Sequence, residues 1–175
     1  MHSSVSVVRS LVKLFKYFFV SALIVAPSSV AAEDPGFLAL GAGYYDVYQK
    51  KHKATEFRAE YRSGEKIWIF KPLLGVMGTS DTAIYGYGGF LVDVFFGRRF
   101  VLTPSLSAGY YEDGDGRDLG YGLEFRSSIE FSYRFDNRAR LGLAFYHLSN
   151  ANLGDFNPGT EVLSLLYSIP LGSRK

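Results

Sequence analysis

A strict alternation from Leu123 to Phe135 is the feature that most constrains how this chain can fold. Odd positions there read Leu, Phe, Ser, Ile, Phe, Tyr and Phe, whereas even positions read Glu, Arg, Ser, Glu, Ser and Arg. Successive side chains of a strand point to opposite faces, so this segment has one apolar and one polar face. Soluble strands average about six residues, whereas a strand that crosses a bilayer at a tilt needs about ten. The segment therefore predicts a membrane-spanning β-strand.

The same alternation returns clearly in three further segments and less regularly in four others. The clear segments are 56–62, 140–145 and 163–169, and the weaker ones are 37–48, 66–77, 83–96 and 100–111, which contain Gly or Pro. Eight strands whose polar faces carry Glu and Arg predict an all-β fold, an eight-stranded antiparallel transmembrane β-barrel with a filled interior. A soluble β-sandwich also alternates, but with shorter strands.

The connections between these strands fall into two sets. Short turns are expected at 63–65, 97–99 and 136–138, and loops at 49–53, 78–81, 112–120 and 150–158. In barrels of this class the short turns are periplasmic and the longer loops extracellular. The connection between the last two strands should therefore lie at the cell surface.

Residues 1–32 differ from the rest and predict a secretory signal peptide, which leaves 33–175 as the barrel. Arg9, Lys13 and Lys16 precede a short apolar run, and Val30-Ala31-Ala32 supplies the small residues of a cleavage site. A membrane anchor would need a longer apolar run. Although 19 basic residues stand against 17 acidic ones in the whole chain, the remainder without this leader is close to neutral, which disfavours nucleic acid as a partner. Cysteine is absent, which excludes disulfides and thiolate metal sites.

Three polar residues lie on the otherwise apolar faces of the last two predicted strands. His147 and Ser149 continue the face of Phe145, and Glu161 continues the face of Leu163. If His147 pairs with Glu161, the two side chains come within about 5 Å of each other at the outer end of the barrel. A serine hydroxyl needs a neighbouring base, and that base works best when a carboxylate orients it. We therefore predict a catalytic triad of Ser149 as nucleophile, His147 as base and Glu161 as orienting group. A His-x-Ser pair also occurs by chance, and a histidine near a membrane interface is unremarkable.

The last 35 or so residues carry a resemblance to a known family. His147-x-Ser149-Asn150-Ala151, then Asn157-Pro158-Gly159-x-Glu161, then a final strand ending in Tyr167-Ser168-Ile169-Pro170-Leu171, resembles the PagL family of lipid A 3-O-deacylases. The resemblance implies hydrolysis of the 3-O-linked acyl chain of lipid A by a triad on the outside of an eight-stranded outer-membrane barrel. It also implies oxyanion stabilisation by the loop asparagines, here Asn150 and Asn157. No cofactor is implied.

Two charged loops and two rival functions offer alternatives to this hypothesis. Lys50, Lys51 and Lys53 either meet lipid A phosphates or form a solvated loop. The acidic residues of 112–118 miss the spacing of a calcium loop, so no metal site is predicted. The rival functions are a non-enzymatic barrel (an adhesin or ligand carrier) and an esterase for another outer-leaflet lipid. The sequence leaves open acyl-chain length, latency of the activity and the oligomeric state, with a homodimer as one expectation.

Overall fold

The structure, a computed structural model, describes residues 35–49 and 52–172, so the predicted signal peptide lies outside the described residues. Within them nine antiparallel strands form one sheet. The strands are β1 (Gly36–Tyr45), β2 (Ala54–Arg62), β3 (Lys71–Thr79), β4 (Ile84–Leu91), β5 (Val94–Phe96), β6 (Phe100–Glu112), β7 (Leu123–Arg134), β8 (Arg140–Ser149) and β9 (Thr160–Leu171). No helix in the described ranges is long and apolar enough to cross a membrane.

The sheet closes on itself because its first and last strands pair. β1 runs antiparallel to β9 from Gly36 opposite Leu171 to Tyr45 opposite Val162. β4 and β5 both pair with β6 and together make one barrel strand. The described chain is therefore a closed eight-stranded barrel, which confirms the predicted fold class. Closure removes the unpaired strand edges that would otherwise be exposed to lipid.

The predicted assignment of the two faces is also confirmed. In β7 the even residues from Glu124 to Ser132 are buried, whereas Phe125 and Phe131 are exposed. In β8 and β9 the exposed positions are again the predicted apolar ones, including Leu143 and Leu165. Exposed apolar side chains around a closed barrel form the surface that lipid tails require.

Two strand predictions were wrong in detail. The strand expected at 66–77 begins at Lys71, because residues 67–70 form a tight turn in which Ile67 and Phe70 exchange backbone hydrogen bonds of 2.8 and 3.1 Å. Trp68 at its tip has a φ of 61° and is 77% exposed, as an interfacial side chain would be. The single strand expected at 83–96 is interrupted between β4 and β5.

The interruption follows from the position of Pro104 in β6. The register is the same on both sides of it, with Leu91 opposite Ser105 and Val94 opposite Leu102. The Val92 N–H still donates to the Pro104 carbonyl at 3.0 Å, but proline has no N–H with which to return the bond. The ladder therefore loses one hydrogen bond without any change of register.

Part of the barrel interior is filled by charged side chains that pair with each other, and part by a cluster of buried apolar and aromatic side chains. Glu60 accepts from Arg62 at 2.7 Å, from Arg126 at 3.0 Å and from the Tyr87 hydroxyl at 2.8 Å. Arg62 also donates to Glu130 at 2.7 Å. All five side chains are buried. Buried charges are tolerated only when they are paired and hydrogen-bonded, so this network sets both the packing and the charge balance of the interior.

Candidate active site

His147 and Glu161 lie directly opposite each other on β8 and β9, as the sequence predicts. The same register places Phe145 opposite Leu163 and Leu143 opposite Leu165. His147 Nδ1 lies 3.1 Å from Glu161 Oε1, and the two side chains are 41% and 22% exposed. A carboxylate on Nδ1 favours the tautomer whose Nε2 carries a lone pair, which is the form that can accept a proton.

Ser149 is the last residue of β8 and lies on the same face as His147. It is half-buried and stands opposite Phe125 of β7. Among the described residues its hydroxyl makes no hydrogen bond. The barrel thus places Ser149, His147 and Glu161 on the same lipid-facing wall at one end, with His147 and Glu161 in contact.

Gly159 forms part of the wall of this site. Its φ is +57°, a left-handed conformation that glycine adopts without strain. A Cβ at this position would lie 2.8 Å from His147 Cε1 and 3.3 Å from Nε2. The backbone therefore passes directly against the imidazole ring and limits where that ring can lie.

The loop at 150–159 is organised by Asn150, whose side chain is fully buried. Its Nδ2 donates to the Leu119 carbonyl at 2.9 Å and to the Phe156 carbonyl at 2.8 Å. Its Oδ1 accepts from the Asn152 N–H at 2.9 Å. Both N–H groups of the amide are used in this arrangement, so neither is left for an oxyanion. The sequence predicted Asn150 as an oxyanion donor; its observed contacts are those of a residue that holds the loop.

Asn157, the other predicted oxyanion residue, lies beside the backbone that follows Ser149. Its Oδ1 accepts from the Asn150 N–H at 3.2 Å, and its Nδ2 makes a longer contact of 3.3 Å with Asn152 Oδ1. Between these contacts, Ala151 and Asn152 both have positive φ values, 54° and 64°. Strained backbone of this kind is concentrated at functional sites.

A buried arginine that the sequence analysis missed joins three loops at this end of the barrel. Arg117 Nη1 donates to Asp46 Oδ1 and Nη2 donates to Gln49 Oε1, both at 2.7 Å. Gln49 Nε2 donates in turn to the Pro158 carbonyl at 3.1 Å, one residue before Gly159. The feature of the sequence that could have indicated its role is that Arg117 stands alone as a basic residue in an otherwise acidic, Gly-rich loop.

The three lysines predicted to bind substrate are described only in part. Lys53 is exposed in the β1–β2 connection at the same end of the barrel, whereas Lys50 and Lys51 lie outside the described residues. In the part of the chain that the structure describes, no group of three or more His, Asp or Glu side chains could hold a metal ion. A carboxylate hydrogen-bonded to an imidazole, with a hydroxyl on the same face of the strand, is an arrangement suited to nucleophilic acyl transfer.

Comparison with known proteins agrees with this architecture. A family model described as lipid A 3-O-deacylase (PagL) matches residues 39–170. The lipid A deacylase PagL of Bordetella bronchiseptica is 27% identical over 74 residues, an alignment that covers 41% of this chain and 42% of that protein.

Two solved structures share the fold. The crystal structure of the outer membrane enzyme PagL superposes with a TM-score of 0.60 at 19% identity, covering 77% of this chain and 99% of that one. A designed transmembrane β-barrel superposes with a TM-score of 0.57 at 9% identity, covering 79% and 98%. At these identities both similarities concern the fold alone.

Proposed function

This chain belongs to the lipid A 3-O-deacylase (PagL) family, and from that premise we propose that it is an ester hydrolase of the bacterial outer membrane. Its substrate is the 3-O-linked acyl chain of lipid A, and its product is a 3-hydroxy fatty acid. The observation that carries the proposal is the His147–Glu161 pair, with Ser149 two residues along, on the wall of the barrel that faces lipid. A substrate dissolved in the membrane reaches that wall by lateral diffusion, without entering the barrel.

The proposed mechanism is that of a serine esterase. Ser149 Oγ attacks the ester carbonyl while His147 Nε2 takes the hydroxyl proton, and Glu161 stabilises the imidazolium that forms. The tetrahedral intermediate collapses when His147 returns the proton to the sugar 3-oxygen, which leaves an acyl group on Ser149. Water then attacks the acyl-enzyme with His147 as base, and the fatty acid departs.

The oxyanion of the tetrahedral intermediate needs hydrogen-bond donors close to Ser149. We assign this role to the Asn157 side-chain amide, because it lies against the backbone of Asn150 and its Nδ2 makes only one long contact. Loss of one such donor typically lowers kcat by about 10²–10³-fold. Asn150 supports the site by fixing the loop that carries Asn157.

Lys53 is proposed to attract the phosphates of lipid A, since it is exposed at the same end of the barrel as the site. Lys50 and Lys51, its near neighbours in the sequence, are proposed to share this role. A lysine near an anionic membrane surface contributes about 1 kcal/mol to binding. The proposed mechanism takes every catalytic group from one chain and assigns no role to a second copy.

Mass spectrometry of lipid A from cells that express the wild type or Ser149→Ala tests the proposal. We expect the wild type to remove one 3-hydroxyacyl chain, and Ser149→Ala to reduce that loss at least about 10⁴-fold. Ser168→Ala is the matched control: this serine is buried on β9 opposite Arg140, and its hydroxyl has no partner in the described structure.

Each rival function predicts a different result. A non-enzymatic barrel would leave lipid A intact in the wild type. An esterase for another lipid would release fatty acid from phospholipid but not from lipid A. Full activity in Ser149→Ala would show that the nucleophile is misassigned.

A further inference from the structure

A cleft rich in arginine lies at the end of the barrel opposite Ser149. It forms between the β5–β6 turn (97–99) and the β7–β8 turn (135–139), which are held side by side where the Arg134 N–H donates to the Arg99 carbonyl at 2.6 Å. Its volume is about 210 Å³, and we call it the arginine cleft. Its lining consists of Arg98, Arg99, Arg134, Phe135, Asp136 and Arg138.

The arginine cleft carries more positive charge than its own carboxylate neutralises. Among the described residues of its lining, Asp136 alone is acidic, and it pairs with Arg99 at 2.7 Å. That pair is exposed, with Arg99 at 41% and Asp136 at 87%, so solvent weakens it. Arg98 is exposed at the mouth of the cleft. Arginines that line one cleft repel each other, and a bound anion would offset that repulsion.

Aromatic rings locate the arginine cleft relative to the membrane. Phe100 stacks on Phe131 with ring centroids 5.6 Å apart and meets Tyr133 edge-on at 5.7 Å. Tyr133 in turn meets Phe135 at 5.2 Å. Aromatic girdles of membrane barrels lie at the level of the lipid headgroups. The arginines therefore follow directly after the girdle, where lipid phosphates are found.

We propose that the arginine cleft binds the phosphate of an anionic phospholipid in the leaflet at this end of the barrel. A guanidinium offers paired N–H donors that match two phosphate oxygens, and it is more weakly hydrated than an ammonium group. Two turns that each supply arginines can grip one phosphate from two sides, while the acyl chains lie along the aromatic girdle below. The proposal is independent of the enzymatic reaction, which takes place at the other end of the barrel.

Native mass spectrometry of the purified barrel, titrated with phosphatidylglycerol or phosphatidylcholine, tests the proposal. We expect one phosphatidylglycerol to bind at least fivefold more tightly than phosphatidylcholine. Each arginine removed should weaken binding about fivefold, the usual contribution of one basic residue at an anionic membrane surface. Arg98→Gln with Arg138→Gln should therefore weaken it roughly 25-fold.

Two further variants separate a lipid site from general damage. Lys66→Gln removes one exposed positive charge from the β2–β3 connection at the same end of the barrel, and it should change phosphatidylglycerol binding less than twofold. Asp136→Asn removes the carboxylate that competes for Arg99, and it should tighten binding. A merely disrupted turn would not produce that gain. If the double variant fails to fold, the two single arginine variants make the same comparison.

Three results would overturn the proposal. The first is equal affinity for phosphatidylglycerol and phosphatidylcholine, and the second is unchanged phosphatidylglycerol binding in the Arg98 and Arg138 variants. The third is arginine-dependent binding of inorganic phosphate without binding of phosphatidylglycerol, which would make the cleft a site for free anions. Millimolar inorganic phosphate is therefore included as a separate arm of the titration.

Discussion

At the scale of single residues, the site depends on two residues, Gly159 and Asn150, that take no direct part in the proposed reaction. Gly159 has the backbone conformation and the missing side chain that let the chain pass against His147. Asn150 uses both side-chain N–H groups and its Oδ1 in contacts that hold the loop at 150–159, two of them within that loop and one with Leu119. Both residues belong to the motif that resembles the PagL family, and in this structure their contacts give each of them a physical role beside the proposed triad.

Gly159→Ala is expected to lower kcat about 100-fold, because the new Cβ must displace the imidazole ring and a displacement of 1 Å can cost that much. The matched control is Gly97→Ala. Gly97 has a similar φ of +65° but nothing within 4 Å of its added Cβ, so it shares the backbone strain without the steric contact. Deacylation kinetics in detergent micelles would compare the two. Equal losses in both variants would mean that strain, and not contact with His147, is responsible.

At the scale of elements, the loops at the catalytic end behave as one unit because Arg117 connects them. The guanidinium binds two residues of the β1–β2 loop, one of which also supports Pro158 in the β8–β9 loop. The Val47 N–H of the same β1–β2 loop donates to the Glu161 carbonyl at 3.0 Å. The position of the proposed triad therefore depends on contacts made far from β8 along the chain.

Arg117→Ala is expected to lower kcat about tenfold and to speed hydrogen exchange in 150–159, because it removes the 2.7 Å ion pair of the buried Asp46 and the bond to Gln49. Arg117→Lys should recover only part of the activity, since lysine cannot present two aligned N–H groups to Asp46 and Gln49. Asp115→Ala, in the same loop and exposed, is the control. Unchanged exchange in 150–159 would exclude a positioning role for Arg117.

At the scale of the whole molecule, stability comes from a charged interior enclosed by an apolar wall. The outward side chains are held in lipid, whereas Glu60 and its partners supply the packing inside. Several buried charges pair across strands, for instance Arg62 of β2 with Glu130 of β7 and Arg126 of β7 with Glu60 of β2. The interior therefore ties together strands that do not share hydrogen bonds.

Glu60→Ala is expected to lower the free energy of unfolding by about 3–5 kcal/mol, because it leaves Arg62 and Arg126 buried with less compensation. Glu112→Ala, an exposed carboxylate at the end of β6, should change it by less than about 0.5 kcal/mol. Guanidinium-induced unfolding of both variants in detergent micelles would measure the difference. A Glu60→Ala variant as stable as the control would show that the network does not hold the barrel together.

The sequence by itself determined the class of fold, the two faces of the clear strands and the pairing of His147 with Glu161. Period-two alternation is a local property that the sequence displays directly. A shift of one residue between paired strands would turn every apolar side chain of a strand into the barrel, so the alternation restricts the register. Only the tertiary structure revealed the contacts between residues that are far apart in the chain. Arg117 and Asp46 are 71 positions apart, and the use of the Asn150 amide depends on Leu119 from another loop. Such contacts exist only once the barrel has closed, and no local pattern records them.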